Sequence, residues 1–328
     1  MTSGGRRSLR ALVSVTLVVL LVLFARRVDW RAAAAAARDA DAGLLVLAFA
    51  CNQLSLVLKG IRWWVFLRGL GVHSLRLVLR ATYAGASLNN LVVAQGGEGA
   101  RVYIVARATG VPASRVTSAL VMERVLDAVS YLTLLVGAAF VLDVPDTLAR
   151  WRVEAAAALT CAIVALCFLA ATSRARGVAA ARAATVWERF TAAVKRFASG
   201  VSETATPVRL VTAMALSLGA WSLQVATYHA VARATHLPIP LAGSIAAMLA
   251  IGISFLVRTT PGNIGIFQVI YAMTVASFGV TQPAAVATAL LIQAVQIPPY
   301  FSVQSPRTGC ARAQRRSLRV RRHHTHAH

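Results

Sequence analysis

Acidic side chains are scarce in this 328-residue chain: Asp and Glu number 11 against 34 Lys and Arg, which leaves a formal net charge of +23. The signatures of soluble catalysis are missing too. There is no P-loop, no HExxH, no nucleophile elbow and no DxD-like pair near a basic face, so the reaction classes built on them find no support. No nucleic-acid-binding motif accompanies the positive charge, which therefore points to anionic lipid on the inner face of a membrane and away from nucleic acid. Cysteine is rare, and Cys51, Cys161, Cys167 and Cys310 have no His partners at metal-ligand spacing. The first three lie in apolar runs and are expected to be small buried hydrophobes, and no metal or cofactor is expected. The run from Ala11 to Phe24 lacks a small-residue cleavage site before Arg26 and Arg27, so it is expected to be a retained first helix.

What the chain has in excess is apolar: 58% of residues are hydrophobic, in long blocks rather than amphipathic stripes. That pattern predicts an all-α, polytopic membrane helix bundle in the cell (cytoplasmic) membrane, with residues 1–303 as one transmembrane domain. Helices are expected over roughly Leu9 to Ala25, Leu44 to Leu58, Val116 to Leu142, Val153 to Ala171, Leu210 to Ala232 and Ala284 to Val303. Lys59, Arg62, Trp63, Trp64 and Arg68 read as cationic and aromatic anchors at a cytoplasmic edge. The segment Ser173 to Arg209 carries seven Lys or Arg against Glu188 and Glu203 and is expected to be a cytoplasmic loop. Its part from Val186 to Phe197 reads equally as an amphipathic helix on the bilayer surface or as a solvated linker helix. Gln304 to His328, with seven Arg and four His, is low-complexity and expected to be disordered. Two origins stand for it: a shifted reading frame, or a polybasic tail drawn to an anionic leaflet at about 1 kcal/mol per basic residue.

Parity constrains the topology. The basic stretches at Lys59 to Arg80 and Arg101 to Arg115 both look internal, yet only one apolar segment, Ala81 to Ala94, separates them. The simplest resolution is that Ala81 to Thr109 dips into the membrane from the cytoplasm, turns at Gly96, Gly97, Glu98 and Gly99, and returns. The second half repeats the arrangement from the other side: Leu241 to Val257 is apolar, Pro261, Gly262 and Gly265 break it, and Ile266 to Phe278 continues. Two re-entrant broken-helix segments of opposite sense imply an inverted repeat.

The polar residues concentrate where these breaks lie. Asn89, Asn90, Glu98, Arg101, Glu123, Arg124 and Asp127 interrupt the first half, and Arg258 and Asn263 the second. An unpaired ion in hydrocarbon costs kilocalories, so such residues face a bundle interior, pair with each other, or line a pathway. Glu123 and Asp127 are four apart on one helix face, with Arg124 a step round and Arg101 able to approach from the broken segment. Two readings stand: a structural charge cluster that locks the segments together, or arginines that grip a lipid phosphate while the carboxylates balance them. Arg258 has no acidic neighbour in sequence and either takes an anion or snorkels to the interface.

On these residues the chain resembles the lysylphosphatidylglycerol synthase transmembrane-region, or flippase-like, membrane proteins, over about Ala11 to Ile297. The carriers are the G-E-x-x-R element with its preceding asparagines (Asn89, Asn90, Gly97, Glu98, Arg101), then Glu123, Arg124 and Asp127, then Pro261, Gly262 and Gly265. The T-P-G-N-x-G-x-x-Q style second motif, with Gln268, is closer to the hopanoid-associated branch, and Gln293 stands where many relatives are expected to have a basic residue. The resemblance implies handling or translocation of a lipid with a phosphate-bearing or isoprenoid-type head, with membrane lipids and lipid-synthesis enzymes as partners. Better known members fuse this region to an aminoacyl-transferase domain. Since nothing soluble follows Val303, their synthase activity is not expected here. A membrane-embedded transferase using Glu98 or Asp127 as base, and a non-transporting scaffold, are the alternatives.

Overall fold

The computed structural model describes residues 26, 29–91, 96–141, 154, 157, 161, 206–254, 263 and 265–297. Among them every regular element is helical: α1 (Trp30–Arg38), α2 (Ala42–Arg68), α3 (Leu75–Leu91), α4 (Gly96–Thr109), α5 (Ala113–Val141), α6 (Pro207–Ala234), α7 (Leu241–Ser254), α8 (Ile266–Val275), a short 3-10 turn (Ala276–Phe278) and α9 (Gln282–Val295). The expected first helix, the helix at Val153 to Ala171 and the tail lie outside the described residues, apart from single positions.

Two long helices form the spine. α2 begins at Asp41, whose carboxylate accepts the Leu44 N–H at 2.9 Å, and α6 begins at Thr206, whose hydroxyl accepts from Arg209 N, with Pro207 in the first turn where its missing N–H costs nothing. They run antiparallel along their whole length. Asp41 N donates to Ala234 O at 2.9 Å, Thr227 Oγ1 to Ala48 O, and Ser55 Oγ to Ala220 O at 2.8 Å. Both are long and apolar enough to cross a bilayer by length and composition, yet only 22% and 33% of their apolar windows are buried. Val208, Val211 and Met273 are among the large apolar side chains left more than two-thirds exposed. Water would make that costly, whereas lipid is the medium that makes it favourable.

Each half then folds back on itself. α3 and α4 pack antiparallel at a contact only glycine permits: a Cβ on Gly97 would lie 2.0 Å from the Gly85 carbonyl oxygen, and one on Gly85 would lie 2.5 Å from the Arg101 side chain. α7 and α8 also pair, closing at their outer ends where Gly243 meets the Phe278 ring. α3 follows the Arg68 end of α2, whereas α7 follows the Ala234 end of α6, so the two hairpins spring from opposite ends of the spine.

The core divides in two. One apolar cluster holds Trp63, Phe66, Leu67, Val105, Val116 and Ala213, at the Arg68 end of α2. The other holds Ala48, Val231, Met248, Phe267, Tyr271 and Ile292, towards its start. Between them α2 carries Asn52, Ser55, Lys59 and Arg62, and α6 carries Ser217, Trp221 and Gln224, a polar layer across the middle of the spine.

Four expectations need correction. The second helix does not stop near Leu58 but continues to Arg68, because nothing from Lys59 to Arg68 breaks a helix. Arg62 and Trp63 are accordingly not interfacial anchors but are fully buried, while Arg68 lies over the Trp64 ring at 5.0 Å. Arg209 lies in the first turns of α6 rather than in a loop. Of the cysteines expected to be buried, Cys51 is half-buried and Cys161 exposed.

Candidate functional site

The polar layer is organised by ions. Arg62 on α2 is fully buried and reaches two carboxylates of α5: Nη2 lies 3.1 Å from Glu123 Oε1, and Nη1 lies 2.7 Å from Asp127 Oδ1 and also contacts Ser217 Oγ of α6. From the other side Arg101 of α4 grips Glu123 with both guanidinium nitrogens, at 3.3 and 2.9 Å. Its planar face sits 4.2 Å from the centre of the Trp63 ring. One glutamate therefore serves two arginines from two helices, in the forked geometry only arginine offers.

Asp127 takes a second and a third donor, the indole N–H of Trp221 at 3.0 Å and Arg124 Nη1 at 3.4 Å. Arg124 also pairs with Glu98 of α4. Its side chain is 52% exposed against 0% for Arg62, so the network has a closed end at Arg62 and an open end at Arg124. Lys59, one helical turn before Arg62, lays its ammonium over the Trp221 ring at 4.0 Å. Trp221 thus joins Lys59 to Asp127 through its face and its edge.

Helix geometry gives the depth. At 1.5 Å per residue, Arg62 lies about 9 Å along α2 from Arg68, Arg101 about 12 Å from the end of α4, and Glu123 and Ser217 about 15 Å from the starts of α5 and α6. All four helix ends belong to one face of the bundle, where Arg68, Arg107, Arg115 and Arg209 collect. The ions consequently meet about 9 to 15 Å inward from that face.

The expected site residues fall into three groups. Glu98, Arg101, Glu123, Arg124 and Asp127 come together as described, except that Glu123 pairs with Arg62 and Arg101, and Arg124 with Asp127 and Glu98, rather than with one another. Asn89 plays a structural part, since its side-chain oxygen accepts the Gly97 N–H at 3.0 Å and so satisfies an otherwise orphaned donor at the start of α4. Gly96 and Gly99 are exposed beside it. Arg258, Pro261, Gly262 and the Asn90 side chain lie outside the described residues. Asn263 is buried at φ 58, a left-handed conformation that asparagine tolerates, and Gly265 stands at φ 91.

The two halves differ in charge. Gln268 Oε1 accepts the Gly265 N–H at 2.6 Å, and the Gln268 amide donates to Gln293 of α9. This amide pair ties α8 to α9 as the Arg101 to Glu123 ion pair ties α4 to α5. Arg62, Lys59, Ser217 and Trp221 went unrecognised in the sequence, although a signal for them exists. Asn52, Ser55, Lys59 and Arg62 are spaced three, four and three apart, a polar stripe on an apolar helix, and Ser217, Trp221 and Gln224 repeat it on α6.

Each carboxylate of this centre is thus held by at least one arginine, and the centre lies where four helices meet. No curated protein matches the chain. Its sequence does match the family model of the lysylphosphatidylglycerol synthase TM region over residues 9–302, nearly the whole chain, and the protein is therefore a member of that family of lipid-related membrane proteins.

Proposed function

We propose that the protein translocates a lipid across the cell membrane, the polar head passing through the layer around Arg124, Glu98 and Lys59 while the acyl chains stay in hydrocarbon. The observation that carries this reading is the ion network inside the helix bundle, open at Arg124. An ionised head group cannot cross ~30 Å of hydrocarbon alone, and fixed donors in a wet groove lower that barrier.

The inverted-repeat reading supports it. Over the described residues α3 and α4, of 17 and 14 residues, span about 25 and 21 Å, and α7 and α8, of 14 and 10 residues, about 21 and 15 Å. Two half-crossing hairpins of opposite sense would bring broken helix ends to the midplane from both sides, an arrangement suited to alternating access. In this reading the multi-pass chain has its basic face, with Arg68, Arg107 and Arg209, in the cytoplasm. The second motif favours the hopanoid-associated branch.

The structural-lock reading suits part of the network. Arg62, Glu123 and Arg101 are buried and linked by ion pairs, which supports a part for them in fixing α2, α4 and α5 against one another. The oxygens of Asp127 are already engaged by Arg62, Trp221 and Arg124, which weighs against a transferase that uses it as base. The test is reconstitution into vesicles containing a head-labelled phospholipid, with external dithionite as quencher. Translocation predicts bleaching beyond the outer-leaflet half, and bleaching that stops there as in protein-free vesicles favours the scaffold reading.

A further inference from the structure

Of the 34 basic side chains two are lysines, Lys59 and Lys195, and the rest are arginines. The difference is chemical: a guanidinium keeps its proton in proteins, whereas a buried lysine can exchange its own. Lys59 stands nine residues, or about 14 Å, along α2 from the basic end at Arg68. Its ammonium rests on the Trp221 face at 4.0 Å, and among the described residues no carboxylate comes within ion-pair distance of it. Arg62, Arg101 and Arg124 already engage Glu98, Glu123 and Asp127 between them. With Lys59 charged, four positive charges face three negative; with Lys59 as the free amine the layer balances. Lys59 is the one cation of the four able to switch between these states.

The groups around it are few. Its own helix brings Arg62 one turn on, α5 brings Glu123, Arg124, Asp127 and Tyr131, and α4 brings Glu98 and Arg101 behind them. α6 offers Trp221, Ser217 and Gln224, α3 meets the neighbouring Gly60 through Leu79 and Thr82, and α9 carries no ionisable residue. We propose that Lys59 is a proton-binding site, and that the proton it carries couples lipid translocation to a proton gradient. This rests on the translocation reading above and deepens it by naming the driving ion. The step is a bare proton transfer: hydronium gives its proton to the amine lone pair and leaves as water. The ammonium so formed grips the Trp221 face, and the Trp221 indole N–H holds the carboxylate that Arg124 contacts at the open end. One proton thereby acts on the open end of the network through a single ring.

The experiment uses the full-length protein in two formats. The first labels the lysine side-chain nitrogens with 15N in lipid nanodiscs and follows the two signals by NMR from about pH 5 to 11, on both sides of the free-lysine value, with Lys195→Arg to assign them. Lys59 should pass from ammonium to amine at a pH where Lys195 is still ammonium. Both lysines switching together overturns the proposal. The second format imposes a gradient of one pH unit on vesicles holding a head-labelled phospholipid, with the potential clamped by valinomycin, and reads the leaflet ratio of the label by dithionite quenching. Wild type should draw the label towards one leaflet, up to the limit of about tenfold set by one proton per lipid. In Lys59→Arg and Lys59→Gln the ratio should stay near that without a gradient, each variant being compared with itself. Scrambling that ignores the gradient in wild type, or a gradient response kept by either folded variant, overturns the coupling and leaves translocation standing. Absence of scrambling with or without a gradient rejects translocation and the coupling with it, while the NMR titration decides the proton site alone, whether or not the variants fold.

Discussion

Glu123→Gln is the perturbation whose consequence the geometry fixes best. The carboxylate stands 3.1 Å from Arg62 and 3.3 and 2.9 Å from the two Arg101 nitrogens, so one neutralisation leaves two buried guanidinium groups short of a counter-charge. Arg62 keeps Asp127, whereas Arg101 loses the one carboxylate it contacts among the described residues. Breaking a buried pair from one side costs about 3 to 5 kcal/mol, because the partner stays buried and uncompensated. At about 2 °C per kcal/mol for a chain of this size, thermal unfolding in detergent should fall by roughly 6 to 10 °C. Adding Arg101→Gln removes the orphaned charge and recreates the amide pair that Gln268 and Gln293 form in the second half, so the double variant should regain at least half of that loss. Tryptophan emission is a suitable probe, as Trp63 lies under the Arg101 guanidinium. A double variant no more stable than the sum of its two single changes would refute the reasoning.

Gly97→Ala should destabilise the protein by about 1 to 3 kcal/mol or more through overpacking, since its Cβ would meet the Gly85 carbonyl, while Gly99→Ala, with nothing within 4 Å, should stabilise α4 by up to ~1 kcal/mol; equal melting temperatures would show that the hairpin is not closely packed. In a cysteine-free background, Thr109→Cys and Ser277→Cys, both exposed, should be labelled by an impermeant maleimide from opposite faces of the membrane, and labelling from the same face would end the inverted-repeat reading. Removal of the residues after Gln304 should leave insertion and melting temperature unchanged, measured in the same detergent; loss of insertion would make the tail part of the fold.

The apolar blocks and the first-half charges were legible in the sequence because each is local. A run of apolar residues and a G-E-x-x-R spacing announce themselves without reference to the rest of the chain, whereas the run Gly96 to Gly99, expected to turn the chain, forms the first turn of α4 instead. Arg62 and Lys59 were not, because a cation beside tryptophans near a helix end reads the same whether it snorkels to an interface or turns inward. What decides is whether acids wait on a neighbouring helix, and Glu123 and Asp127 lie more than sixty residues away in sequence. Adjacent residues on a helix point about 100° apart, so Arg124 faces away from Glu123 and meets Glu98 on α4. The stripe at Asn52, Ser55, Lys59 and Arg62 was the available signal, and its period on an otherwise apolar helix is what marks an inward-facing polar layer.

The most direct test of a lipid path past the open end of the network is the initial rate of dithionite-accessible scrambling for wild type, Arg124→Lys and Arg124→Gln in the same vesicles, with melting temperature as a control for folding. Arg124 is half-exposed and contributes little to the buried lock, so both variants should melt close to wild type. The account predicts that wild type scrambles well above protein-free vesicles, that Arg124→Lys is slower for want of the planar fork, and that Arg124→Gln is slowest. Equal rates for all three, or a wild-type rate no higher than that of protein-free vesicles, would contradict it.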